Sequence, residues 1–505
     1  MKRHSRFLSL TGLFLLSTLA FSQEDVPQWD EDDSNLRGNP IAAPTATVSE
    51  EEKKKANQEA EARRQAEEAE AEAKKKAEEA LKKAEERRRD ILLYGITDQV
   101  LEAIKGLRED KIGSYNSVLE QVLQDAEEFA LVTAIFGLWE ATQYQEGLPI
   151  ARAHLQGVLD DEDYDKDTLL AAFSYVSASK DRDSQELLVQ LSENRDTTIA
   201  AAAVRALGTL GPPLSDEAIL SLLDRLDEID PLTEDDLTAS LITSLGELQA
   251  NAAANTLLGI AEDEGANAGH RRLACVAVGR IGREEDFEPI SRIYFDSDDA
   301  TLRSYALGGL ALFPNQDNTR ILAQALRRDS FWRIRVTAAE NLMGVKTGDI
   351  PALLRFKAVH DPIPQVQKAA MASLAPQASS ESREFMLQYF GDETNSTELR
   401  IATLKTLAEN RIDGTIDAVR PVMDKLWEKD EGRFLEYTCR ELASIEWPAL
   451  APLFERMLDH QNWLVQVYGI RGIRRNSLST LEPKIQGLDR DGVDGRTRRE
   501  ISSGN

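Results

Sequence analysis

Residues 196–211 read DTTIAAAAVRALGTLG, and this stretch decides the fold. Ile199, Ala203, Ala206 and Leu207 recur at helical spacing and predict one apolar face. Asp196 stands where an N-cap belongs, and Gly208 and Gly211 fall where a helix would stop. Because that face is mostly alanine, another helix can pack close against it. One such helix cannot bury its face alone, which is a reason to expect copies.

Copies are present. With Leu207 as anchor, each carries an apolar residue eight positions earlier and small residues four and one earlier. The register returns at Leu237/Leu241/Ser244/Leu245, His270/Ala274/Ala277/Val278 and Leu302/Ala306/Gly309/Leu310. It continues at Ile334/Ala338/Asn341/Leu342, Val366/Ala370/Ser373/Leu374 and Leu399/Thr403/Thr406/Leu407. Phe434/Thr438/Glu441/Leu442 and Val465/Gly469/Gly472/Ile473 complete it. Successive anchors lie 38, 33, 32, 32, 32, 33, 35 and 31 residues apart. Between them lies a second apolar helix each time, as in Glu217–Leu226, Asn318–Arg327, Pro351–Val359, Thr415–Trp427 and Ala449–Leu458. Each unit is therefore expected to be a helical hairpin of about 32 residues.

The residue after the apolar start is often arginine: Arg271, Arg303, Arg335 and Arg400, with Gln367 and Gln466 in the same slot. An acid often precedes it, as with Asp196, Asp299, Asp329 and Asp361. This pattern, D-x-x-[VIL]-R-x-x-A-x-x-A-L-G, resembles the second helix of HEAT repeats, in particular their shorter bacterial form. The likeness covers roughly residues 115–505. It implies an all-α fold: an α-solenoid of about ten helical hairpins in a right-handed superhelix. It also implies that the arginines form a structural ladder with the acids of neighbouring units. The ankyrin and tetratricopeptide patterns are missing.

The chain has 505 residues, net charge −28, 42% hydrophobic and only 6% aromatic residues. This composition suits a helical array better than a sandwich or barrel, and the acid excess argues against nucleic acid or anionic lipid as partner. Residues 1–22 read as a signal peptide. Lys2, Arg3 and Arg6 precede an apolar core from Phe7 to Phe21, and cleavage is expected between Ser22 and Gln23. Removing those three cations takes the charge from −28 to −31. Export to the periplasm is expected, with an uncleaved inner-membrane anchor as the second reading. No other stretch could cross a bilayer.

Residues 23–49 form an acidic, then Pro/Ala-rich linker. Residues 50–90 alternate Glu with Lys/Arg on alanine, predicting a long charged single helix, a stalk or weak coiled coil of about 60 Å. This segment resembles spacer helices of envelope-spanning bacterial proteins of the TolA type. Residues 91–190 are expected to be degenerate repeats forming an N-terminal cap, with Leu138 as an early anchor, and residues 191–505 the HEAT-like array.

Signs of chemistry are few. Cys275 and Cys439 sit five repeats apart inside second helices and read as small buried apolar residues. Asp489 to Gly495 is reminiscent of a calcium loop, but Val493 and Asp494 fall where a ligand and a glycine are required. No metal-ligand spacing, P-loop or nucleophile motif is found. Short HEAT-like repeats also occur in bilin lyases and in a di-iron hydroxylase, and the hydroxylase's His-Glu motifs are missing here. The expectation is therefore no enzyme, no cofactor and no metal. A non-catalytic scaffold would bind envelope proteins along a concave groove of second helices. The alternatives are a bilin-lyase-like enzyme or small-ligand carrier, and a structural spacer. Trp332, Arg333, Lys368, Arg440, Trp463, Arg471, Arg474 and Arg475 are the candidate partner contacts, because Trp and Arg are favoured interface anchors.

Overall fold

The structure, a computed structural model, describes residues 79, 82–124, 128–160, 162–314, 316–377, 379–427, 433–488 and 493–502. The expected signal peptide, the linker and most of the charged stretch lie outside the described residues. So does the start of the calcium-like loop. Two units are distinguished, Met1–Lys82 and Lys83–Asn505, and the repeats fill the second.

Every regular element among the described residues is a helix. After the helices 82–94 and Thr97–Glu109, twelve pairs follow, from Asn116–Gln124 with Phe129–Thr142 to Glu482–Gly487 with Gly495–Ser502. Second helices of successive pairs pack side by side in one layer, while first helices touch one another sparsely. The layer is continuous because its contacts are small. A methyl group on Gly246 would stand 2.6 Å from the Ala277 Cα. Ala200, Ala203, Ala274, Ala306, Ala338 and Ala370 are fully buried.

The helix starts follow the sequence. Asp196 accepts from the Thr198 N–H at 2.9 Å and Asp299 from the Thr301 N–H at 2.8 Å. Asn267, Ser396 and Asn462 cap their helices in the same way. Asp494 accepts from the Arg496 N–H at 2.8 Å at the start of the last helix. It serves there as a cap.

The helix ends reveal the register of the N-terminal units. The N–H five residues after an anchor donates to the anchor's carbonyl at Leu245, Leu407 and Ile473, closing a Schellman motif. The same bond runs from Ile112 to Leu107, from Tyr144 to Trp139 and from Asp181 to Val176. The residue between, four past the anchor, has positive φ in each case, at Lys111, Gln143, Lys180, Gln249, Arg411 and Ser477. The early anchors are therefore Leu107, Trp139 and Val176, and Trp139 replaces the expected Leu138. Trp139, Phe136 and Tyr175 form an aromatic cluster with centroids 5.9–6.1 Å apart, at positions where the later repeats carry no aromatic residue.

Candidate functional site

Four arginines were expected to form a ladder, and each lies seven residues before an anchor. All of them donate to a carbonyl near the end of the first helix of their own unit. Arg271 Nε reaches the Ala261 oxygen at 3.2 Å, Arg303 Nη1 that of Ser297 at 3.1 Å, and Arg400 Nε that of Phe390 at 2.8 Å. Arg335 Nη1 reaches the Asp329 oxygen at 2.9 Å, and Gln367 and Gln466 make the same bond with their amides. A second link, to the next unit, depends on what that unit offers. Arg335 meets Asp361 at 2.9 Å, and Arg303 stands 3.8 Å from Asp329. Arg400 instead lies 4.0 Å over the Phe434 ring. Burial raises the Asp361 carboxyl, but hydrogen bonds from Arg335 and Lys357 outweigh this and hold it below the usual carboxylate range.

A separate row of ion pairs joins neighbouring second helices. Lys166 pairs with Asp196 at 2.7 Å, Arg205 with Asp236 at 3.0 Å, Arg272 with Asp299 at 3.0 Å and Lys368 with Glu398 at 2.5 Å. The Lys166 hydrogen bond lowers the Asp196 carboxyl.

Most candidate partner contacts are engaged within the chain. Arg471 grips Glu500 through two 2.9 Å bonds. Arg474 donates to the carbonyls of Glu500 and Ile501 at 2.6 and 2.8 Å, capping the last helix. Trp463 lies under Arg496 at 4.4 Å, and half-buried Trp332 packs on the core beneath Arg333 at 5.0 Å. Arg440 bonds Glu441 and covers Tyr437. Arg475 is exposed and has no bonded partner among the described residues.

Two features escaped the sequence reading. On the Ala300–Leu312 helix, Tyr305 is 42% and Leu312 46% exposed, two turns apart on one face. Gly308 lies between them, and a methyl group added there would meet nothing within 4 Å. The result is an apolar strip open to solvent, with Met343 exposed just past the end of the next second helix. Tyrosine at five before the anchor was the signal in the sequence.

The second feature is a cavity of about 590 Å³ lined by turns of two adjacent repeats, including Asp230, Ile242, Ile260, Asp263 and His270. His270 occupies the apolar start position that is aliphatic or Phe in the other eight copies anchored between Leu207 and Ile473, and it is buried. Its Nε2 lies 3.0 Å from Asp235 Oδ1 and 3.3 Å from the Asp235 carbonyl oxygen. The signal was in the register, as the one polar residue at that position among the nine copies from Leu207 to Ile473.

Both thiols are free and fully buried, and burial pushes each up to about 12. Among the described residues no group of three or more His, Cys, Asp and Glu could hold a metal ion, and no helix is long and apolar enough to cross a membrane.

Paired helices in register, stacked through their second helices and tied by buried and half-buried arginines, define a HEAT-repeat α-solenoid. The family described as spirochaete HEAT repeat protein matches residues 92–503, and the chain belongs to it. No curated protein matches. Among solved structures, the CpcE–CpcF complex of phycocyanin lyase from Nostoc is 16% identical, covering 47% of this chain and 92% of that one, with a TM-score of 0.34. Kap121p bound to Pho4p is 12% identical, covering 82% of this chain and 52% of that one, at 0.36. Human deoxyhypusine hydroxylase is 16% identical, covering 59% and 96%, at 0.25.

Proposed function

We propose that this chain is a non-catalytic scaffold of the cell envelope, binding partner proteins along its layer of second helices. The observation that carries the reading is the exposed Tyr305–Gly308–Leu312 strip. It places apolar surface in water without a core reason, on a layer whose charges are largely paired internally. The glycine and alanine contacts between second helices also bring them close, which favours that side as the inner, groove-forming one. Location in the envelope is supported by the signal-like segment 1–22, and tethering by the charged stretch 50–90.

Crosslinking in the native envelope followed by affinity capture tests the reading. A defined protein should be captured by the wild type and lost with Tyr305→Ser/Leu312→Ser at unchanged helical content. Capture of no protein by the wild type overturns the scaffold role. Equal capture by the variant removes the Tyr305–Leu312 strip from it. Fractionation of the protein with the cytoplasm would overturn the location.

A further inference from the structure

The cavity beside His270 offers a ligand site of definite chemistry. It opens where the turn between helices Asp216–Glu228 and Asp235–Glu247 meets the turn between Ala254–Glu262 and Ala268–Ile281. Its floor is aliphatic, with Leu226 and Ile242 buried and Ile260 half-buried. Asp227, Asp230 and Asp263 stand exposed among its lining residues, which include no lysine or arginine. Two of these carboxylates are held in place by their own turns. Asp230 Oδ1 accepts from the Leu232 N–H at 3.0 Å, and Asp263 Oδ1 accepts from the Gly265 N–H at 2.9 Å.

His270 supplies the independent observation. Its side chain is 4% exposed, and both groups near Nε2 are acceptors, the Asp235 carboxylate and the Asp235 carbonyl. Nε2 therefore carries the proton, and in the neutral ring Nδ1 is an acceptor. Nδ1 has no hydrogen-bond partner among the described residues, although the ring lines the cavity. At the cavity wall a ligand N–H would give this acceptor the donor it lacks within the chain. An apolar floor, unneutralised carboxylates and an imidazole acceptor together describe a receptor for a cation on an aliphatic stem. A guanidinium fits better than an ammonium. Its planar fork sends five N–H donors in separate directions, whereas an ammonium is a compact point charge.

We propose that this cavity takes an arginine side chain presented by the partner protein, with the guanidinium between Asp230, Asp263 and His270 Nδ1 and the methylenes on Ile242 and Ile260. The assignment rests on the scaffold reading and names the chemistry of what is bound.

The probe is N-acetyl-arginine amide, titrated into the full chain and followed by saturation-transfer NMR, with the N-acetyl-lysine and N-acetyl-citrulline amides as comparisons. The arginine compound should bind, the lysine compound more weakly and the uncharged citrulline compound not measurably. His270→Leu restores the aliphatic residue typical of other repeats, so it keeps the fold, and should weaken binding about tenfold. Ile260→Trp fills the cavity and should abolish binding. Asp417→Asn, an exposed acid on a distant repeat, should leave it unchanged. Equal binding by wild type and both cavity variants overturns the site, as does equal binding of citrulline or an equal loss in Asp417→Asn. Crosslinking capture separates the two readings. Partner capture undiminished by both cavity variants overturns the arginine pocket and leaves the scaffold standing. Capture of nothing by the wild type overturns the scaffold, whatever the arginine compound does.

Discussion

Arg335 and Asp361, 26 residues apart, meet through two 2.9 Å hydrogen bonds that cross the boundary between successive repeats. The same guanidinium donates to the Asp329 and Ser330 carbonyls, so one side chain fixes two turns at once. Asp361 is buried and also takes a bond from Lys357 at 3.1 Å. Asp361→Asn leaves buried cations without their counter-charge, and the expected loss is about 3–5 kcal/mol. Urea unfolding should show it as a lower midpoint, and the apolar pair Arg335→Met/Asp361→Leu should recover part of it. A loss under about 1 kcal/mol would mean that the pair is incidental, as exposed ones are. The sign with pH follows from the depressed carboxyl. Its contribution is present above the ordinary value of 3.8 and is lost as pH falls through the lower value in the fold.

Adjacent glycines on one helix should respond oppositely to alanine. Gly309 faces Gly279 of the preceding second helix, and a methyl group on either would enter the other helix's backbone. Gly309→Ala should therefore destabilise by about 1–3 kcal/mol through overpacking. Gly308→Ala adds its methyl to open space and removes backbone freedom from the unfolded chain, for a gain of about 0.5–1 kcal/mol. Thermal melts of the two variants check this. The same sign for both would show that the layer is looser than the contact implies.

The contrast explains what the sequence could and could not disclose. Anchors from Leu207 to Ile473 were legible because alanine, glycine and leucine recur at fixed offsets, which close packing of second helices demands. Leu107, Trp139 and Val176 were not, because Gln99 and Thr168 stand where the apolar start belongs and Ile135, Leu138 and Tyr175 stand where small residues belong. Cations were visible but their partners were not. Arg471 looked free until Glu500, 29 residues on, came beside it. The cavity at His270 belongs to two turns of different repeats, and only the odd residue in the register pointed to it.

Cys275 and Cys439 test whether the second-helix layer opens on its own. Their thiols are raised to about 12 by burial, so almost no thiolate exists at neutral pH. A maleimide should leave both unmodified in the native protein over hours and label both in denaturant. Labelling in buffer should track the unfolding equilibrium, read by mass spectrometry against urea concentration. Rapid modification of native Cys275 would show local opening between the third and fourth second helices of the array.

His154 gives the N-terminal repeats a pH dependence distinct from that of Asp361. Its ring meets Phe136 edge-on, with centroids 5.4 Å apart and planes at 82°. Burial lowers its pKa from the ordinary 6.5, while the nearby Glu162 carboxylate pulls the other way and loses. A histidine depressed in the fold protonates more readily when unfolded. Its contribution to stability is therefore complete above pH 6.5 and declines as pH falls from there through the lower folded value. The melting temperature should thus drop between pH 7.5 and 5, well above the range where Asp361 titrates. His154→Leu keeps apolar contact with Phe136, cannot titrate, and should flatten that part of the profile. An unchanged slope in the variant would assign the pH dependence elsewhere and show that the His154 ring has free access to water.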